Sequence, residues 1–147
     1  MIPENFNIRV YGLLIREQQV LLADELISGN AMTKFPGGGL EFGESIKECL
    51  IREFDEELSI EIELDELFYI NDFFQPSAFN PKDQLISIYF TVKQVGNKTI
   101  PVAKRPFAFP PHINQCFRWM ELDKLRQMDL TYPIDQKVGE LLREKYL

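Results

Sequence analysis

Acid is missing from a long stretch of this chain. From Gln84 through Met120 there is no Asp or Glu, while Lys93, Lys98, Lys104, Arg105 and Arg118 all fall there. Elsewhere acid is plentiful, and 23 Asp and Glu against 16 Lys and Arg give a net charge of −7. That balance excludes nucleic acid as the expected main partner. Histidine is nearly absent, His112 being the only one. The two cysteines, Cys49 and Cys116, form no CxxC pair and read as reduced, buried thiols. No apolar run approaches the roughly 20 residues that cross a bilayer, so no membrane association is expected. Met1-Ile2-Pro3-Glu4-Asn5 lacks the basic and apolar regions of a secretory signal, which leaves the cytoplasm as the expected compartment. Repeats and low-complexity tracts are absent too.

What is present is an ordinary globular composition, 45% hydrophobic and 27% charged over 147 residues, the length of one domain. Phe6 to Ile15 and Val20 to Ala23 read as strands joined by a turn at 16–19. Thr33-Lys34-Phe35 leads into Pro36 and a glycine turn at Gly37-Gly38-Gly39. A helix is expected from about Glu44 to Leu58, with Ile46, Leu50, Phe54 and Leu58 as its buried stripe. Ile60 to Leu64, Leu67 to Phe74, Leu85 to Val95 and Phe117 to Met120 follow as strands. Between them lie a loop from Gln75 to Asp83 and an irregular connection from Pro101 to Pro111 with four prolines, a candidate binding loop. Leu122 to Met128 reads as the start of a helix, and Ile134 to Tyr146 as a terminal one.

The expected helix carries more carboxylate than a helix tolerates well. Glu53, Glu56 and Glu57 span only about 100° of its surface, and like charges that close repel. A hard divalent cation compensates best, because Mg²⁺ and Mn²⁺ prefer carboxylate oxygen. These three are the candidate metal ligands, with Glu41, just ahead of the helix, able to reach the metal through water. The apolar stripe lies beside Glu53 and Glu57, which places them at the edge of the core. Arg52 is suited to holding a carboxylate in place, and Glu44, eight residues earlier, is the one it would hold.

The spacing is also that of a known family. Gly38, five residues, Glu44, seven residues, Arg52-Glu53-Phe54, one residue, Glu56-Glu57, one residue, then Ser59-Ile60 resembles the Nudix box. Every charged position matches; Ser59 stands where the family pattern has glycine. The box covers Gly38 to Ile60, and outside it the resemblance is one of layout. It implies an α/β fold, a Nudix-like α/β/α sandwich with a mixed sheet between helical layers, over a single domain of residues 1–147. It also implies metal-dependent hydrolysis of a nucleoside diphosphate linked to another group, with Mg²⁺ or Mn²⁺ as cofactor and a backbone carbonyl at Gly37 as a further ligand. The expected partner is a small nucleotide; a homodimer is compatible with the family.

The expected catalytic set is Glu53, Glu56, Arg52, Glu44 and His112. In the family the general base is a box glutamate or an acid from a late loop, and no acid lies between Asp83 and Glu121. Glu53 is therefore the first choice, acting through a water at the metal, and His112 is the alternative, since its ordinary pKa is near 6.5. For substrate binding, Arg105 and Arg118 are candidates to hold a terminal phosphate and Phe74 to stack on a base. Pro76, sixteen residues beyond Ile60, resembles the pattern of ADP-ribose pyrophosphatases. A nucleotide sugar such as ADP-ribose and a nucleoside triphosphate are the two substrate classes. The competing class is a catalytically weak Nudix-like protein that binds nucleotide as a sensor or regulator.

Overall fold

A computed structural model describes residues 2–147. The chain forms two compact units, one running through Gly12 and then Gly37–Gly96, the other Leu13–Pro36 with Asn97–Leu147. Strand β1, Asn5–Arg16, contributes its earlier residues to the first unit and its last four to the second.

In the first unit, β1 lies beside β6 (Asp83–Val95), which pairs antiparallel with β5 (Glu61–Ile70). Of the stretches 60–64 and 67–74, expected as two strands, Glu61–Ile70 forms one strand with register shifts between Leu64 and Tyr69, and residues 71–74 lie beyond its end. Alternation breaks at such irregularities, so the sequence pattern reads as two pieces. The glycines, expected as a turn, form a short strand β4, Gly37–Gly39, antiparallel to β1 with Tyr11 opposite Gly37, Val10 opposite Gly38 and Arg9 opposite Gly39. Glycine has low strand preference, and only the partner strand makes this segment extended.

Helix α1, Ile46–Leu58, begins at a capping box: Ser45 Oγ accepts from the Glu48 amide and Glu48 Oε1 accepts from the Ser45 amide, each at 3.1 Å. The box stops the helix short of Glu44, which stays outside. Cys49, Leu50, Phe54 and Leu58 are its buried residues. Ser59 ends the helix in the left-handed conformation at φ 55°, ψ 35°, its amide donating to Asp55 O at 2.9 Å. Serine thus takes the geometry that glycine adopts with less strain.

In the second unit, β2 (Gln19–Ile27) pairs antiparallel with β3 (Asn30–Lys34) and with β7 (Gln115–Glu121). β2 also pairs antiparallel with the end of β1, and both hairpin corners, Glu17 and Gln18 between β1 and β2 and Ser28 and Gly29 between β2 and β3, use positive φ, the geometry that matches strand twist. Leu122 to Met128, expected to start a helix, forms two short 3₁₀ turns, Leu122–Lys124 and Gln127–Asp129. Helix α2, Pro133–Tyr146, has proline in its first turn and buries Ile134, Val138 and Leu142. Among the described residues no helix is long and apolar enough to cross a membrane.

Candidate active site

The chemistry-bearing residues of the first unit gather where β4 meets α1. Successive residues of a strand face opposite ways, so Gly38 turns towards the helix while Gly37 and Gly39 turn away. A Cβ built on Gly38 would fall on the Glu53 carboxylate, 2.6 Å from its Cδ. Glycine at this position is what lets an acidic group lie directly on the strand backbone. A Cβ on Gly37, at φ 150°, would strike the Val10 carbonyl and lie 2.8 Å from the Tyr11 ring.

Arg52 organises the carboxylates. Its Nε and Nη2 donate to the two oxygens of Glu44 at 3.0 and 2.7 Å, a bidentate pair. Nη1 donates to Glu53 at 3.0 Å and to Glu56 at 3.2 Å, and Nη2 also reaches the Gly39 carbonyl at 3.2 Å. Glu44 in turn accepts from the Glu41 amide at 2.9 Å. Hydrogen bonds from Arg52 hold the Glu44 carboxyl down at about 2, from an ordinary 4.5. Glu41 is more loosely attached, 3.8 Å from Arg52 with its side chain exposed.

Because Glu44 is more acidic when folded than when unfolded, its contribution to stability is complete above about pH 4.5 and is lost as pH falls towards 2. Glu44→Gln is therefore expected to flatten the acid limb of a stability–pH curve in that window, and thermal melts between pH 2 and 6 measure it. An unchanged acid limb would remove Arg52–Glu44 as its source.

Glu53 and Glu57, one turn apart, are half-buried at the edge of the core; Glu56 is exposed. The donors are all carboxylate oxygen, the set that a hard divalent cation takes. Among the described residues, however, no three His, Cys, Asp or Glu side chains stand together at cation-holding spacing. Arg52 holds both Glu53 and Glu56 on its own fork. Cys49 is buried beside this network, its Sγ 3.5 Å from the Gly39 carbonyl, and burial pushes its thiol up to about 12. Both cysteines are buried, as expected, and neither forms a disulfide among the described residues.

A family model described as the NUDIX domain matches residues 5–142. The chain belongs to the Nudix family. Its box is the β4–α1 segment just described, and its class is that of the Nudix hydrolases. Solved structures agree on the Nudix fold, α/β with a mixed sheet and two helices. The E. coli ORF135 protein is similar over 96% of this chain and 91% of its own, at 22% identity and a TM-score of 0.73. A NUDIX hydrolase from Nitrosomonas europaea matches over 95% and 89%, at 21% identity and 0.72. An ADP-ribose pyrophosphatase from Streptococcus suis matches over 96% and 92%, at 17% identity and 0.61.

The remaining expected site residues are dispersed through this Nudix chain. Phe74 and Pro76 are exposed in the first unit, Pro76 bridging to Gln84 across its loop. Arg105 and His112 are exposed in the second unit, His112 at φ 62°. Arg118 corrects the sequence reading. It is buried, with Nε 2.7 Å and Nη2 3.2 Å from the two oxygens of a fully buried Asp24, so both of these nitrogens are engaged inside the protein. Asp24 also accepts from the Thr33 hydroxyl at 2.7 Å and the Phe107 amide at 3.1 Å. Sequence reasoning missed Asp24 because an acid that follows the apolar run Val20–Ala23 gives no sign of its partner 94 residues away.

Proposed function

We propose that this Nudix protein is a divalent-cation-dependent hydrolase that cleaves the pyrophosphate bond of a nucleoside diphosphate linked to another group, by water attack on phosphorus. The observation that carries the reading is the Glu53 carboxylate seated against Gly38 and tied through Arg52 to Glu44. An acid fixed on strand backbone at the rim of the core is a pre-organised proton acceptor, not a mobile surface charge.

Glu53, Glu56 and Glu57, with the Gly37 carbonyl and Glu41 through water, are the residues that would hold Mg²⁺ or Mn²⁺. Bound there, the cation supplies charge neutralisation on the phosphate oxygens. The rest of the chemistry belongs to side chains. Glu53 takes the proton from the attacking water. Arg52 keeps Glu53 and Glu56 oriented, and its bidentate hold on Glu44 anchors the guanidinium at the strand end. Arg105 is the candidate cation for a terminal phosphate, and Phe74 and Pro76 belong to substrate binding.

A nucleotide sugar is the favoured substrate class. The position of Pro76 supports it, as does the likeness to the Streptococcus suis ADP-ribose pyrophosphatase. The deciding experiment presents nucleoside triphosphates and nucleotide sugars with Mg²⁺ or Mn²⁺ and identifies the products. Two monophosphates are expected from a sugar diphosphate, whereas pyrophosphate plus a monophosphate identifies a triphosphatase. Tight nucleotide binding with no turnover under either metal overturns the hydrolase reading in favour of a sensor.

A further inference from the structure

The site described above accounts for two of the three glycines of β4 and leaves one over. Gly38 makes room for the Glu53 carboxylate, and Gly37 takes a positive φ against the Val10 carbonyl. Gly39 meets neither demand. Among the described residues, a Cβ built there would find one atom within 4 Å, Arg9 Nη1 at 3.6 Å, which is an ordinary contact. What glycine does at 39 is keep a side chain off the Arg9 guanidinium. Arg9 lies opposite Gly39 in register and is half-buried.

The ladder fixes how this pair faces. Leu40 N donates to Ile8 O at 2.9 Å, so Ile8–Leu40 and Val10–Gly38 are hydrogen-bonded pairs. Arg9–Gly39 is then a non-hydrogen-bonded pair, the kind whose side-chain positions lie closer together. Gly39 therefore turns its carbonyl away from β1, to the side where it accepts from Arg52 Nη2 at 3.2 Å. Glu53 lies on one face of this three-residue strand and Arg9 on the other, with the carbonyl edge between them. Since none of the three residues has a side chain, a ligand laid over the rim of β4 meets the carboxylates on one side and the guanidinium on the other.

Arg9 is mounted on the core. Its Nε donates to the Tyr11 hydroxyl at 2.6 Å, and its guanidinium carbon stands 5.7 Å from the centre of the Tyr11 ring. Tyr11 is buried and stacks on the buried Tyr89 ring at 5.1 Å. A guanidinium tied through Nε to a fixed ring presents Nη1 at Gly39 with little ordering left to be done on binding. The charge of the substrate calls for such a group. Arg52, the other guanidinium at this strand, already serves Glu44, Glu53, Glu56 and the Gly39 carbonyl. A diphosphate brings more than one anionic group to the same rim.

We infer that Arg9 binds a phosphate of the nucleotide, the one that lies across β4 from the carboxylates, and that Tyr11 is the positioning residue that aims it. The inference rests on the hydrolase reading and names the cation that reads the anionic part of its substrate. A phosphate held away from the carboxylates is gripped alike in the bound substrate and in the transition state, so its loss belongs in KM.

The test is steady-state kinetics of wild type, Arg9→Met, Arg9→Lys, Tyr11→Phe, Gly39→Val and the Arg9→Met/Tyr11→Phe double variant. The substrate is the nucleotide that the wild type turns over best with Mg²⁺. Arg9→Met is expected to raise KM about 10–100-fold, in line with loss of a hydrogen bond to a charged group, with kcat within about threefold. Arg9→Lys keeps the charge without the fork and should raise KM about fivefold. Tyr11→Phe removes only the hydroxyl and should raise it about threefold, yet add nothing to Arg9→Met, because it acts through that guanidinium. Gly39→Val should raise KM about fivefold by covering Nη1, without lowering the melting temperature, since valine suits a strand. An unchanged KM in Arg9→Met, a loss carried by kcat alone, or a Tyr11→Phe loss that adds in full to Arg9→Met overturns the inference and leaves the hydrolase reading intact. Should Arg9→Met fail to fold, an unchanged KM in both Arg9→Lys and Gly39→Val overturns it equally. A wild type that turns over no nucleotide overturns the hydrolase reading, and the inference with it.

Discussion

Arg118→Met is expected to destabilise the protein by about 3–5 kcal/mol, the range for removing one member of a buried ion pair. The loss comes chiefly from what is left behind. Asp24 is fully buried and keeps only the Thr33 hydroxyl and the Phe107 amide once the guanidinium is gone. Two donors do not replace a cation in a low-dielectric interior. Urea denaturation of wild type and variant measures the difference. The paired replacement Asp24→Leu with Arg118→Met should recover much of the loss, since it removes both charges. Recovery should be incomplete, because the Phe107 amide, held at φ 58°, loses its acceptor. A loss below about 1 kcal/mol for Arg118→Met would mean that the pair with Asp24 contributes no more than an exposed ion pair does.

Glu53→Gln is expected to lower kcat by about 10²–10⁴-fold at saturating Mg²⁺, the usual contribution of a positioned general base. The substitution keeps the shape of the side chain and an oxygen that can still accept from Arg52. What it removes is the charge and the proton acceptor. Its melting temperature should hold or rise, because one of three crowded like charges on α1 is neutralised. Gly38→Ala gives the same diagnosis from the other side. The added methyl occupies the place of the carboxylate, so Glu53 must leave the strand, and a misplacement of about 1 Å alone costs on the order of 10²-fold. His112→Ala should leave kcat within about threefold, since its exposed loop position provides no fixed geometry for proton transfer. If Glu53→Gln keeps full turnover while His112→Ala does not, the base is His112.

The contrast between Arg52 and Arg118 shows how far a sequence carries an argument of this kind. Arg52 sits at a fixed gap from Glu44 and next to Glu53, so the box spacing and the reach of its fork nominated it as the residue that holds a carboxylate in place. The structure places its fork on Glu44, Glu53 and Glu56. Arg118 had no such local frame. Its partner lies on β2, brought opposite by strand register, Leu22 facing Arg118 and Asp24 facing Cys116. A cation in an acid-free stretch reads as available until that pairing is known. Asn71 is a similar case, since nothing in its neighbours announces a buried amide that bonds to Phe73, Leu85 and Ser87.

The sequence by itself determined the family, a helix ending at Leu58 with Leu50, Phe54 and Leu58 buried, and the acid–arginine spacing along the box. All of these depend on residues a few turns apart, where backbone geometry leaves little choice. Only the tertiary structure decided that the three glycines are a strand and not a turn, because the deciding hydrogen-bond partner is β1, far back in the chain. The same holds for the place of Glu53: one carboxylate among several in the helix becomes distinct by lying where Gly38 has no side chain, a contact that exists only once strand and helix are packed.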